Sequence, residues 1–454
     1  MSHEYGPVGN VKYPNDFKWG VATAAPQIEG YPRAAGGGES IWNTFAGIAG
    51  NIKDGTTPNV ADDHYHLYKK DIANMKELGI KNYRFSIAWP RIFPEGTGRI
   101  EKQGIEFYER LVDALLKAGI TSWITLYHWD LPQVLEDKGG WPSRETAYAF
   151  TKYVDVVTRA LGDRVKHWIT INEPWCSSIL GYYLGAHAPG RKSLSEGLQT
   201  AHHILLAHGM AVPIIRENSK DSEVGIVHNF QPIYPADGKE ENYQASLRFD
   251  GYSNRWFLDP LFGKGYPPDM LTLYGNAVPR VEENDMKIIT AKTDYLGVNY
   301  YFPQFIKEGQ GNGILRSDHV TLPDVGHTDM GWMWMVYPNS LYDALKRLKE
   351  EYQIPAIYIT ENGAAYQDTV DADGRVRDPK RTLYIEQHLG AVLRAIADGI
   401  PVRGYFVWSL MDNWEWAEGN SKRFGIVYVD YDTLKRTIKD SGRRYAEIIA
   451  ENSL

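Results

Sequence analysis

Cysteine is almost missing from this 454-residue chain: Cys176 is the only one. A single thiol excludes an internal disulfide and any zinc or iron–sulfur centre built on several cysteines. Positive charge is short as well. Lysine and arginine number 49 against 57 aspartates and glutamates, a formal net charge of −8. A nucleic-acid partner needs a basic footprint, and no basic block supplies one. No run approaches the ~20 apolar residues of a membrane span. The opening ten residues are polar and glycine-rich, unlike a secretory signal, so a cytoplasmic protein with no membrane contact is expected. Internal repeats, low-complexity tracts and Pro/Ser-rich linkers are missing too.

Aromatic side chains are plentiful. Tryptophan, tyrosine and phenylalanine make up 13% of the chain, many of them beside polar residues. They serve a large core, or a cleft that stacks rings on a flat hydroxylated ligand, and composition alone leaves both open.

The chain reads as a strand followed by a helix, over and over. Segments 18–23, 82–88, 121–127, 167–172, 223–229, 295–301, 356–360 and 402–408 are rich in β-branched and aromatic residues. Between them, amphipathic patterns occupy 62–78, 107–118, 144–161, 195–218, 340–352, 379–398 and 441–450. Parallel neighbours need crossovers, and eight strand–helix alternations are the number that closes a barrel. The expected fold is α/β: a single (β/α)8 TIM barrel with long βα-loop insertions, formed by residues 1–454 as one catalytic domain.

In such a barrel the active site lies at the carboxyl ends of the strands. Those ends are unusual here: Arg84, then His128-Trp129-Asp130, Asn172-Glu173-Pro174, Asn299 with Tyr301, Glu361-Asn362-Gly363, and Trp408 followed by Asp412, Glu415 and Trp416. Carboxylates, amides, one imidazole and several indoles suit sugar hydroxyls and sugar faces. Glycosidic cleavage needs two carboxyl groups, one to protonate the leaving oxygen and one to attack or to activate water. Glu173 and Glu361 end the fourth and seventh strands, nearly opposite one another. Arg84 and Tyr301 would depress the pKa of a nucleophilic carboxylate, while the other glutamate would sit drier and start protonated. Spacing does not say which is which, and a structural salt bridge is an equal reading of Arg84.

These residues give the chain a resemblance to the β-glucosidases of glycoside hydrolase family 1. Segment Ile357-Tyr358-Ile359-Thr360-Glu361-Asn362-Gly363 resembles the family's nucleophile segment, and Thr170-Ile171-Asn172-Glu173-Pro174 its acid/base segment. Residues 17–30, including Gln27, resemble its amino-terminal pattern, and the likeness runs from about Phe17 to Tyr445. The resemblance implies a retaining double displacement with Glu361 as nucleophile and Glu173 as acid, then base. It implies that Gln27, His128, Asn172 and Glu415 hold the hydroxyls of the non-reducing sugar, with Trp129 among the other substrate-binding residues. Trp408 would lie beneath that ring, with Trp416 bonding a hydroxyl and Phe424 closing the side. Asn299, Tyr301 and Arg84 would orient Glu361, and Trp334 would face the aglycone. Terminal β-D-glucosyl residues of glucosides and cello-oligosaccharides are the implied substrates, with β-galactosides and β-fucosides also admitted, and no metal or cofactor.

This chain departs from the family pattern in two places. Pro26 stands just before Gln27, where the family has an aromatic residue, asparagine or histidine, and Gly36-Gly37-Gly38-Glu39-Ser40 precedes Ile41-Trp42 in a loop expected toward the cleft entrance. Three rival functions share the fold. A 6-phospho-β-glycosidase would place serine where Glu415 stands and tyrosine where Phe424 stands, leaving Lys422 alone for a phosphate. A non-catalytic glycan-binding protein would lose one of the two glutamates. A glycosyl transferase would use the same residues. Elsewhere, His64 and His66 read as surface histidines, His202, His203 and His208 as packing residues, Asp371-Ala372-Asp373-Gly374 as a turn, and Cys176 as an ordinary buried thiol.

Overall fold

Eight parallel strands close into a barrel in the computed structural model, which describes residues 12–454. The opening segment read above for a secretory signal lies outside the described residues. The strands are β1 (Lys18–Ala22), β2 (Asn82–Ser86), β3 (Thr121–Tyr127), β4 (His167–Asn172), β5 (Glu223–Asn229), β6 (Tyr295–Asn299), β7 (Ile357–Asn362) and β8 (Val402–Trp408). Each pairs with the next in the chain, and β8 closes on β1 with Trp408 opposite Ala22. All eight expected segments are strands in the structure, with ends differing by two residues or fewer.

Register fixes which residues share the carboxyl rim. Asn229 lies opposite Asn299, and Asn299 opposite Glu361. Two irregularities fall just below the glutamates, between Ile359 and Glu361 on β7 and between Ile169 and Asn172 on β4. An extra residue on one strand bends it and re-aims the side chains that follow. At the other end of the barrel, Trp123 packs edge-on against Tyr358 and Phe406 with ring centroids 4.8 and 5.1 Å apart. The barrel therefore has an aromatic floor and a polar mouth.

The expected helices are all present. Arg144–Leu161 matches its expected span, Leu194–Asn218, Asn339–Tyr352 and Pro379–Ala397 differ by a residue at one end, and Asp440–Glu451 by a residue at each end. One helix starts five residues early, at Lys102 instead of 107. Its first turn carries no apolar stripe; it is fixed instead by the Glu101 side chain, which accepts from the Gln103 N–H. His64–Glu77 corrects the reading of His64 as a surface residue. His64 is buried, with Nδ1 2.8 Å from Asp71 Oδ2, because Arg436 of the carboxyl-terminal hairpin packs onto Asp71 from the same side. His66, on the far face, is exposed as expected.

Loop insertions build the walls above the mouth. They include a helical turn run at Cys176–Tyr183, a small sheet of Ile233–Pro235, Gln304–Glu308 and Ser317–Val320, and a hairpin of Val427–Val429 with Arg436–Ile438. Buried Lys439 reaches Asp368 at 2.5 Å and Asp412 at 2.6 Å, tying the loop after β7 to the loop after β8. No helix among the described residues is long and apolar enough to cross a membrane.

Candidate active site

Glu173 and Glu361 line one cavity of about 760 Å³ at the barrel mouth, together with His128, Trp129, Tyr301, Trp334, Trp408, Glu415, Trp416 and Phe424. The strand-end residues are thus brought together as the fold class required.

The two glutamates are linked through a chain of buried groups. Arg84, fully buried, donates from Nη1 to Glu361 Oε1 at 2.5 Å and from Nη2 to Asn172 Oδ1 at 2.5 Å. Tyr301 donates to Glu361 Oε2 at 2.6 Å, so both carboxyl oxygens of Glu361 are held. Asn299 accepts from Thr360 Oγ1 at 2.7 Å, which fixes its amide, and its Nδ2 donates to Asn172 Oδ1 at 3.1 Å and to Glu173 Oε1 at 2.7 Å. Glu173 differs from Glu361 in that its hydrogen-bond partners are neutral. Burial, together with the neighbouring Glu361 charge, pushes its carboxyl up to about 8. Burial also raises Glu361, but Arg84 and Tyr301 oppose that rise. One carboxyl is set to give a proton and the other to carry charge.

His128 is buried and kept neutral by burial and by the Arg84 charge. Its Nε2 meets the Asn172 amide nitrogen at 3.0 Å and so accepts, which leaves the proton on Nδ1. That Nδ1 and Gln27 Oε1 are buried without a protein partner among the described residues. Gln27 lies beside Glu415, its Nε2 donating to Asn413 Oδ1 at 2.9 Å and Glu415 Oε2 at 3.2 Å. Pro26 does not disturb it: proline falls in the first turn of the short helix Ala25–Ile28, where no backbone donor is needed. Glu415 is pushed up to about 8, first by burial and then by Glu361. Trp408, Trp416 and Phe424 are buried walls, and Trp416 packs 4.5 Å from Trp129. The Trp129 indole N–H is engaged by the Asn172 carbonyl at 3.1 Å, so Trp129 contributes a face to the wall. Glu173, Trp129 and Trp416 all have positive φ, at 49°, 74° and 49°, an arrangement that non-glycine residues adopt at some energetic cost.

Of the two tryptophans after Gly331, Trp334 lines the cavity against Phe302 at 4.5 Å, whereas Trp332 is 56% exposed. The glycine-rich loop before Trp42 does not reach the cleft entrance as expected. None of residues 36–42 lines the main cavity; Trp42 instead backs Trp416 at 4.7 Å. Lys422 donates to the Asp329 carbonyl.

Sequence reasoning missed one close neighbour. Cys176, read as an ordinary buried thiol, lies with Sγ 3.2 Å from Glu173 Oε2. The three-residue spacing on a helical turn was the available signal. Gln231, Tyr252, Gln304 and His319, which form the outer cavity wall, come from insertions that carry no motif.

The profile described as Glycosyl hydrolase family 1 matches residues 10–454. The chain is 48% identical to Beta-glucosidase A of Thermotoga maritima, over 98% of this chain and 99% of that one. It is also 48% identical to 1,4-beta-D-glucan glucohydrolase of Thermotoga neapolitana, over 98% and 99%. The solved family 1 b-glucosidase from Thermotoga maritima superposes with a TM-score of 0.95 at 47% identity, covering 98% of this chain and 99% of that one. A structure of the Thermotoga maritima enzyme in complex with glucoimidazole gives 0.94 at 48% identity, covering 98% and 100%.

Proposed function

The chain belongs to glycosyl hydrolase family 1 and is a β-glucosidase, and from that premise we propose that Glu361 is the nucleophile and Glu173 the acid, then base, of its retaining double displacement. The observation that carries the assignment is the difference in partners: Glu361 is held by Arg84 and Tyr301, and Glu173 by neutral groups. A Glu361 oxygen attacks the anomeric carbon while Glu173 passes its proton to the leaving oxygen, which departs as the alcohol. Glu173, now a carboxylate, takes a proton from water as that water attacks the glycosyl ester and frees Glu361. Two inversions leave the β configuration unchanged.

Glu415, His128 Nδ1 and Gln27 Oε1 are the groups proposed to hold the sugar hydroxyls, over Trp408 and beside Trp416. A carboxyl at Glu415 serves O4 and O6 of glucosides first and tolerates β-galactosides and β-fucosides. Cello-oligosaccharides then extend along the wall of Trp334, which fits a role in cellulose breakdown. Phosphorylated sugars fit poorly: the Lys422 ammonium is engaged elsewhere and apolar Phe424 faces the cavity. We read the whole chain as one catalytic unit and the cytoplasm as its compartment, in keeping with a lone unpaired thiol.

Replacing Glu361 by glycine tests the assignment. Hydrolysis of an aryl β-glucoside is expected to fall at least ~10⁴-fold, and azide, entering the space left by the carboxylate, to restore release of the aryl alcohol by bonding the anomeric carbon as the α-glucosyl azide. Retention of full activity in that variant would exclude Glu361.

A further inference from the structure

The thiol of Cys176 and the carboxyl of Glu173 share one helical turn. The Cys176 N–H donates to the Glu173 carbonyl at 3.0 Å, and residues three apart on such a turn lie on one face. Sγ is therefore brought to 3.2 Å from Oε2, while Oε1 is taken by Asn299 at 2.7 Å. Among the described residues no other donor reaches Oε2. Cys176 is buried, borders the main cavity, and on its other side borders a small cavity with Trp129 and His187.

Burial and the Glu173 charge push the thiol well above its ordinary value, so it stays protonated and acts as a fixed neutral donor. A hydrogen bond given to the carboxylate favours that form over the acid. We propose that Cys176 is a positioning residue for the acid/base: its S–H holds Oε2 and stabilises the carboxylate left once the proton has gone to the leaving oxygen. The other titratable groups around Glu173 are Glu361 from β7, Arg84 from β2, Tyr301 beyond β6 and Glu415 beyond β8. His187, behind the thiol, is kept neutral by burial, which lowers it to about 4. None of these supplies what Sγ supplies.

The proposal rests on Glu173 being the acid/base, and the test separates the two. The pH dependence of kcat/KM for 4-nitrophenyl β-glucoside is measured for the parent, Glu173→Gln, Cys176→Ala and Cys176→Ser. A basic limb present in the parent and lost in Glu173→Gln ties that limb to Glu173. Removal of the thiol donor in Cys176→Ala should then move the limb upward by roughly half a pH unit. Cys176→Ser, with a stronger donor, should move it below the parent position. A cysteine that only fills space would move neither. A limb lost in Glu173→Gln yet unmoved in both cysteine variants, or moved upward in both, overturns the role of the thiol alone. A limb that survives in Glu173→Gln overturns the acid/base assignment and this proposal with it. Should Cys176→Ala fail to fold, Cys176→Ser decides: a downward shift supports the thiol's role, and an unmoved or raised limb overturns it.

Discussion

At Glu173 the fold holds a carboxyl against its own preference for water, and the consequence is measurable in stability as well as in catalysis. Its folded value of about 8 lies above the ordinary 4.5, so between those values the folded state keeps a proton that the unfolded chain releases. Stability contributed at this position is therefore greatest below pH 4.5 and is lost as pH rises toward 8. Glu173→Gln removes the titration. The variant is expected to match the parent in unfolding free energy near pH 4 and to exceed it near pH 8, by on the order of 2–4 kcal/mol. Unfolding curves across that range check this, and parallel curves for the two proteins would contradict it. The same residue shows where sequence reading stopped. Two glutamates at opposite strand ends were legible, but spacing left their roles open and only the family resemblance assigned them, because Arg84 lies 277 positions from Glu361 and only the closed barrel brings the two together.

At the scale of elements, the strand pattern was legible nearly to the residue, since a buried parallel strand reads as a short β-branched or aromatic run. The bulges under Glu173 and Glu361 were not, because nothing in Ile169–Asn172 or Ile359–Glu361 differs in type from a regular strand. The loops showed a similar limit. The glycine-rich stretch before Trp42 looked like a cleft entrance, yet Gly36 lies against Glu101 and Gly38 donates to the Pro90 carbonyl, and only Trp42 reaches the aromatic wall. Gly363 closes β7 against β8: a Cβ there would land on the Trp408 carbonyl oxygen. Gly363→Ala must therefore push the loop after β7 away from Trp408 and tilt both Glu361 and the Trp408 indole. A loss of kcat/KM of about 10²-fold is expected with the overall fold kept. Steady-state kinetics alongside circular dichroism check it, and unchanged kinetics would show that the two strand ends are not coupled.

For the whole molecule, barrel closure decides how a chain of sugars can enter. The aromatic floor under Trp123 seals one end, and Trp408, Trp416 and Phe424 wall the inner side of the cavity. The outer side is lined by Tyr183, Tyr252, Gln304 and His319 from the insertions. A cavity of about 760 Å³, closed at one end, admits an oligosaccharide by its tip only. Cellotetraose is accordingly expected to give glucose and cellotriose as first products, and early cellobiose in excess of glucose would refute a closed inner end. Trapping shows whether Glu361 is the residue that bonds covalently to the sugar. The protein is incubated with an activated 2-deoxy-2-fluoro-β-glucoside, digested, and its peptides are weighed by mass spectrometry. One added fluoroglucosyl group is expected, on the peptide that carries Thr360-Glu361-Asn362. Label on Glu173 or Glu415 instead, or inactivation with no added mass, would contradict it.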